Sequence, residues 1–175
     1  MSFTFPAIYN FPPFFTQQPT ADTWSRQRAL WVQLVLSYCA SHRLFLVDLN
    51  ELSVSPLFTN ASISRSLNRK AIDAVFEDIV AAGNGEWEDK KSRSRCFVWW
   101  KRPDEWAALI YAWASDNGQK ICTVYEIVEG DVTEGLEFHG LHIDAVKRVL
   151  EVLVRQGRGQ LFYGSSDTDM GIKFA

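Results

Sequence analysis

Cysteine is scarce and badly placed for cross-linking. The three present in 175 residues, Cys39, Cys96 and Cys122, form an odd and widely scattered set, which excludes a disulfide framework and fits a reducing compartment. No apolar run approaches the ~20 residues that span a bilayer. Residues 1–9 lack the basic start and continuous apolar stretch of a secretory signal, so a soluble, cytoplasmic chain is expected. Excess positive charge is missing too: the net charge is -3, without the broad basic surface of a typical nucleic-acid binder.

Groups that carry chemistry are equally thin. Cys39 and His42 share a helix face at i, i+3, but no second pair completes a zinc site. His139 and His142 have no nucleophile beside them. Gly157-Arg158-Gly159 follows a helix instead of opening one, the wrong order for a phosphate cradle. These absences predict no catalytic residue, no bound metal and no cofactor. The chain does not read as an enzyme.

Aromatic residues, by contrast, are plentiful. Seven tryptophans supply a core and also favour binding surfaces, where Trp is enriched. Residues 1–22 hold Pro6, Pro12, Pro13 and Pro19, which forbid a continuous helix, together with Phe3, Phe5, Ile8, Tyr9, Phe11, Phe14 and Phe15. A disordered linker is poor in aromatics, so this arm packs on something. A first helix is expected from Asp22 or Thr23 to about His42, with Leu30, Trp31, Leu34, Val35 and Tyr38 on its inner face. Residues 44–49 read as a strand, Ser55-Pro56 as the start of a short helical stretch, and residues 63–67 as another. The clearest helix covers residues 69–82, closed by Gly83 in a left-handed conformation. Residues 86–89 and 96–100 then read as a hairpin.

The same order follows again. Pro103 opens a helix carrying Trp106, Leu109, Ile110 and Trp113. Residues 121–128 read as a strand, residues 142–156 as a helix closed by Gly157, and residues 160–163 with 171–174 as a second hairpin. A shift of 74 residues carries Ile72, Val75, Phe76, Ile79 and Gly83 onto Val146, Val149, Leu150, Leu153 and Gly157. A shift of 75 carries Trp31, Leu34, Val35 and Tyr38 onto Trp106, Leu109, Ile110 and Trp113. The chain is duplicated. Helix, strand, helical turn, helix and hairpin is the order of a winged helix. The expected fold is α+β, mainly α: an extended proline-aromatic arm (1–22) and two tandem winged-helix domains (23–101 and 102–175).

Two surfaces invite partners. In Phe11-Pro12-Pro13-Phe14-Phe15, consecutive prolines predict an extended polyproline-like backbone with aromatic anchors projecting from it. On that reading Phe14→Ala weakens partner binding and leaves the melting temperature nearly unchanged. The second surface joins Thr123, Val124, Tyr125 and Glu126 to Glu129, Asp131, Glu134, Glu137 and Phe138, a mixture suited to a basic amphipathic helix. The alternative is a DNA-binding, transcription-associated winged helix. Against it, Asp73, Glu77 and Asp78 line the outer surface of the first recognition helix, and Lys147, Arg148 and Arg155 are offset by Asp144 and Glu151. The wing residues Lys90, Lys91, Arg93 and Arg95 support only weak phosphate contact.

Several stretches, in order along nearly the whole chain, also match a known family. They include Phe11-Pro12-Pro13-Phe14-Phe15-Thr16, Ser55-Pro56-Leu57-Phe58-Thr59-Asn60, Gly83-Asn84 before Glu86-Trp87, Arg102-Pro103 with Glu105-Trp106, Glu137-Phe138-His139-Gly140-Leu141, and Gly171-Ile172-Lys173-Phe174. The sequence resembles the vacuolar protein-sorting-associated protein 25 family, the small subunits of the endosomal ESCRT-II complex, though residues 130–136 are less acidic than that pattern. The resemblance implies two winged helices and two copies of the chain in a complex with two larger subunits. It assigns docking on those subunits to Phe11, Pro12, Pro13, Phe14 and Phe15, and recruitment of an ESCRT-III subunit to the second winged helix. The implied setting is sorting of ubiquitinated cargo into multivesicular bodies, with cytoplasmic protein reaching endosomal membranes only through the complex.

Overall fold

The computed structural model describes residues 2–175, and its contacts separate two units, Met1–Trp100 and Lys101–Ala175. The first contains α1 (Ala21–His42), β1 (Leu46–Asp48), α2 (Leu49–Ser53), β2 (Thr59–Asn60), β3 (Arg65–Ser66), α3 (Arg69–Ala81), β4 (Gly85–Trp87) and β5 (Arg95–Val98). The second contains α4 (Pro103–Asp116), β6 (Ile121–Thr123), α5 (Val124–Val128), α6 (Ile143–Arg155), β7 (Gly159–Phe162) and β8 (Gly171–Phe174). Each unit has one three-stranded antiparallel sheet, ordered β1-β5-β4 in the first and β6-β8-β7 in the second. Both are winged helices.

The duplication extends to individual hydrogen bonds. Gly83 and Gly157 have φ of 80° and 71°, a backbone region that a side chain disfavours. At the end of α3, Asn84 N–H donates to the Ile79 carbonyl and Gly83 N–H to that of Val80, both at 3.0 Å. At the end of α6, Arg158 N–H donates to Leu153 and Gly157 N–H to Val154 in the same pattern. This pair of hydrogen bonds closes a helix with its last carbonyls satisfied. The buried stripes are Ile72, Val75, Phe76 and Ile79 on α3, and Val146, Val149, Leu150 and Leu153 on α6.

Two short elements depart from the sequence-based expectation because a polar residue stops a strand by capping a helix. Residues 121–128 are not one strand. Thr123 ends β6, its Oγ1 accepting from Glu126 N–H at 3.1 Å while the Glu126 carboxylate accepts from Thr123 N–H at 2.8 Å. That reciprocal pair starts α5. Asp48 does the same after β1, accepting from Asn50 and Glu51 N–H groups, so the helical turn precedes Ser55-Pro56. The helical turn expected over residues 63–67 lies earlier, as a 3-10 turn at Ala61–Ile63, and Ser64 at φ 53° then turns the chain so that β3 pairs with β2. Helix α1 is entered from Thr20, not from Asp22 or Thr23. Leu30 and Leu109, expected on inner faces, are exposed, and the α1 stripe begins earlier, at Trp24 and Gln27.

The arm is folded back on the first unit. It forms two 3-10 turns, Ala7–Asn10 and Pro12–Phe15, in place of the expected extended polyproline-like run. Proline's fixed φ suits the first position of such a turn as well as an extended chain, and the Phe14 N–H reaches the Phe11 carbonyl at 2.9 Å to close it.

Candidate partner-docking surfaces

The first surface is built on α1. Trp31 is fully buried, and the Phe14 ring stacks on it at 4.1 Å with an interplanar angle of 3°. Phe15 meets Trp31 edge-on at 5.3 Å and Tyr9 at 5.5 Å. The Trp31 indole N–H donates to the Phe14 carbonyl at 3.0 Å. Phe14 and Phe15 are each only 3% exposed, so these two residues are core, not free anchors. Stacking and burial on α1 outweigh any gain from leaving them in water. The expectation that Phe14→Ala leaves folding intact is therefore overturned.

What remains outside is Phe11, 56% exposed, with the exposed Pro12 and Pro13. Beside them runs an open groove of about 380 Å³, lined by Ile8, Phe11, Pro13, Arg26 and Leu30 among others. Sequence reasoning missed Gln27, which donates from Nε2 to the Phe14 and Thr16 carbonyls at 2.7 and 2.9 Å. Its signal was present: a polar residue lies within the stripe of Trp24, Trp31 and Leu34.

The second surface lies on α5 and the segment after it. Tyr125 is half exposed, and Val132 and Leu136 are exposed in the segment after α5. Glu126, Glu129, Asp131, Glu134 and Glu137 are exposed as well. Glu137 pairs with Lys101 at 2.9 Å, and Thr123 and Glu126 form the α5 cap. Val124 and Phe138 are not surface residues. Val124 is fully buried, and Phe138 packs edge-on against Trp113 at 5.6 Å, because the start of a short helix and the chain leading to Leu141 both face the core. Residues 130–136 contain a 3-10 turn, Asp131–Thr133, and the buried Thr133 hydroxyl is 2.9 Å from His139 Nδ1.

Several of the basic residues are held in ion pairs. Arg69 meets Asp73 at 2.8 Å, Arg28 meets Asp78 at 2.7 Å, Arg93 meets Glu77 at 2.5 Å and Arg95 meets Glu88 at 3.3 Å. In the second unit Lys147 meets Asp167 at 2.6 Å. Burial pushes the Cys39 and Cys96 thiols up to about 12 and that of Cys122 to about 11, which leaves them protonated and unreactive near neutrality. Among the described residues no group of three His, Cys, Asp or Glu side chains is placed to hold a metal ion, and no helix is long and apolar enough to cross a membrane.

The model of the family described as ESCRT-II complex subunit matches residues 8–142. The chain belongs to that family. It is 46% identical over 176 residues to vacuolar protein-sorting-associated protein 25 of Danio rerio, covering 99% of both chains. The protein of that name from Homo sapiens is 42% identical, with 99% of this chain and 98% of the human one aligned. Among solved structures, the crystal structure of subunit VPS25 of the endosomal trafficking complex ESCRT-II matches with a TM-score of 0.86 at 27% identity, covering 97% of this chain and 98% of that one. A chain in the crystal structure of the endosomal complex ESCRT-II (VPS22/VPS25/VPS36) matches at 0.82 and 29%, with the same coverage.

Proposed function

We infer that this chain is a non-catalytic adaptor of an ESCRT-II complex, joining two larger subunits at one end to an ESCRT-III subunit at the other. The larger subunits are the counterparts of VPS22 and VPS36, which the related complex contains. Docking falls to Phe11, Pro12 and Pro13, with Phe14 and Phe15 as the buried root that holds them. The observation that carries this reading is a large aromatic, Phe11, left in water beside an apolar groove while Phe14 and Phe15 of the same motif are buried. Exposed aromatics of this kind are typical interface anchors.

The second unit offers Tyr125, with Val132 and Leu136, amid carboxylates. That chemistry suits a basic amphipathic helix of an ESCRT-III subunit: charge steers the encounter and apolar contacts hold it. Two copies of the chain per complex present two such surfaces, so ESCRT-III recruitment gains avidity. The setting is cytoplasmic, on endosomal membranes reached through the complex, in sorting of ubiquitinated cargo to multivesicular bodies. The competing DNA-binding reading is opposed by the ion pairs that occupy Arg69, Arg93 and Arg95.

Co-expression with the two larger subunits followed by native mass determination tests the assignment. Two copies of this chain per complex are expected, with Phe11→Ala weakening its binding to the assembly. A chain that purifies alone, or a Phe11→Ala variant that assembles normally, contradicts it.

A further inference from the structure

Among the described residues the buried polar side chains are Gln27, Asn60 and Thr133. Burying an amide is costly unless its bonds are made inside. Gln27, 6% exposed, directs its whole amide at the arm. Its Oε1 accepts from Gln18 N–H at 3.2 Å, and its Nε2 lies 2.7 Å from the Phe14 carbonyl and 2.9 Å from that of Thr16. Asn60, 4% exposed, lies far away in sequence, where it follows Thr59 in β2. Its Nδ2 donates to the Tyr9 carbonyl at 2.8 Å and approaches Asn10 Oδ1 at 3.3 Å. The Tyr9 hydroxyl is held from the same region, by the carbonyls of Pro56 and Thr59.

One amide thus grips residues 9 and 10, and the other grips residues 13 to 18. From one grip to the other run Phe11, Pro12 and Pro13. Pro13 is anchored at its carbonyl, which Gln18 Nε2 reaches at 2.9 Å and Gln27 Nε2 at 3.4 Å; among the described residues Phe11 and Pro12 take no side-chain hydrogen bond, and all three are exposed. We propose that Gln27 and Asn60 are positioning residues which hold this tripeptide in the conformation a partner binds. The proposal rests on the docking role assigned to Phe11. Two prolines already remove much of the freedom of the tripeptide itself; the buried amides fix where it sits and which way Phe11 points. An epitope prepared in this way loses little freedom on binding. Released from one grip, the arm occupies the binding form for only a fraction of the time, and the apparent dissociation constant rises by the inverse of that fraction.

The test uses the full chain and, as probe, the purified assembly of the two larger subunits. Gln27→Leu keeps the size of the side chain and removes its bonds. Amide exchange at Phe11, Phe14 and Thr16 is expected to accelerate by about tenfold or more, and the dissociation constant to rise about tenfold, as for an arm competent one tenth of the time. In a Phe11→Ala background the same change is expected to add less than about twofold, because a positioning residue acts through the group it positions. Asn60→Leu is expected to behave alike. If Gln27→Leu does not fold, Gln18→Ala removes two exposed bonds, to the Pro13 and Thr16 carbonyls, and about a threefold loss is expected.

Unchanged affinity in Gln27→Leu (or, if that variant fails, in Gln18→Ala), or a full multiplicative effect on top of Phe11→Ala, overturns the positioning role while leaving docking in place. Unchanged affinity in Phe11→Ala alone overturns docking itself, and the positioning role with it.

Discussion

In the first unit the candidate docking surface is a proline-broken segment of two short turns, gripped by side chains 9 to 51 positions away in sequence. In the second it is a five-residue helix closed by its own cap, Thr123 with Glu126. The first surface depends on tertiary contacts for its shape, and the second carries its shape locally. Substitutions that affect folding and binding should therefore coincide at the arm and separate at α5.

Trp31→Ala gives the largest effect. It removes a fully buried ring, its stack with Phe14 and a hydrogen bond, at a cost of about 5 kcal/mol, enough to unfold a small unit of ordinary stability. Phe14→Ala follows, at about 3 kcal/mol, and partner binding falls with it because the root of the arm is gone. Denaturant titration alongside a pull-down of the larger subunits checks both. Phe11→Ala sharpens the contrast within the arm: stability stays within about 0.5 kcal/mol, while binding weakens by about 2 kcal/mol, as for an interface anchor. Loss of stability in Phe11→Ala, or intact binding in Phe14→Ala, would erase the distinction between root and tip.

High pH separates the two units in another way. A thiol whose pKa rises on folding keeps its proton after the unfolded chain has lost it, so its contribution to stability is complete below pH 9 and declines as pH rises toward the folded value. Cys39 and Cys96, raised from 9.0 to about 12, lie in the first unit, and Cys122, raised to about 11, in the second. Burial also raises Tyr9 and Tyr38, both in the first unit. Between about pH 9 and 12 the first unit is expected to lose more stability than the second. Hydrogen exchange of each unit across that range checks the order.

The sequence made the duplication legible because its markers are local: stripes at helical spacing, and Gly83 and Gly157 at helix ends. The fate of the arm was hidden for the opposite reason. Phe14 carries the same letters whether it stacks on Trp31 or on a partner, and only the spacing of Gln27 within a buried stripe pointed to the difference. At the second surface the error ran the other way. Glu126 reads as one more surface acid, yet it completes a cap, and Val124 and Phe138 read as binding residues, yet they fill the core. Short apolar runs are ambiguous between strand and helix, and residues 121–128 held both. Thr123→Val measures the local part directly: loss of the cap is expected to cost about 1 kcal/mol, with no effect at the arm.

The smallest expected effect tests whether the acids of the second unit steer a partner. Glu134 is exposed and lies outside the α5 cap, and it stands between Val132 and Leu136, two of the exposed apolar residues of this surface. Glu134→Lys should leave folding within about 0.5 kcal/mol and slow association with a basic ESCRT-III helix by a few-fold, roughly what one rim charge contributes at moderate salt. Salt provides the internal control. Exposed charges more than about 8–10 Å apart are largely screened near physiological ionic strength, so raising salt should bring the association rates of parent and variant together. Tyr125→Ala should instead speed dissociation, and salt should not narrow that difference. If Glu134→Lys changes dissociation alone, the acids make contact without steering. If neither substitution matters, the α5 surface is only a solvated face, and the contrast between a tertiary and a local docking site ends with it.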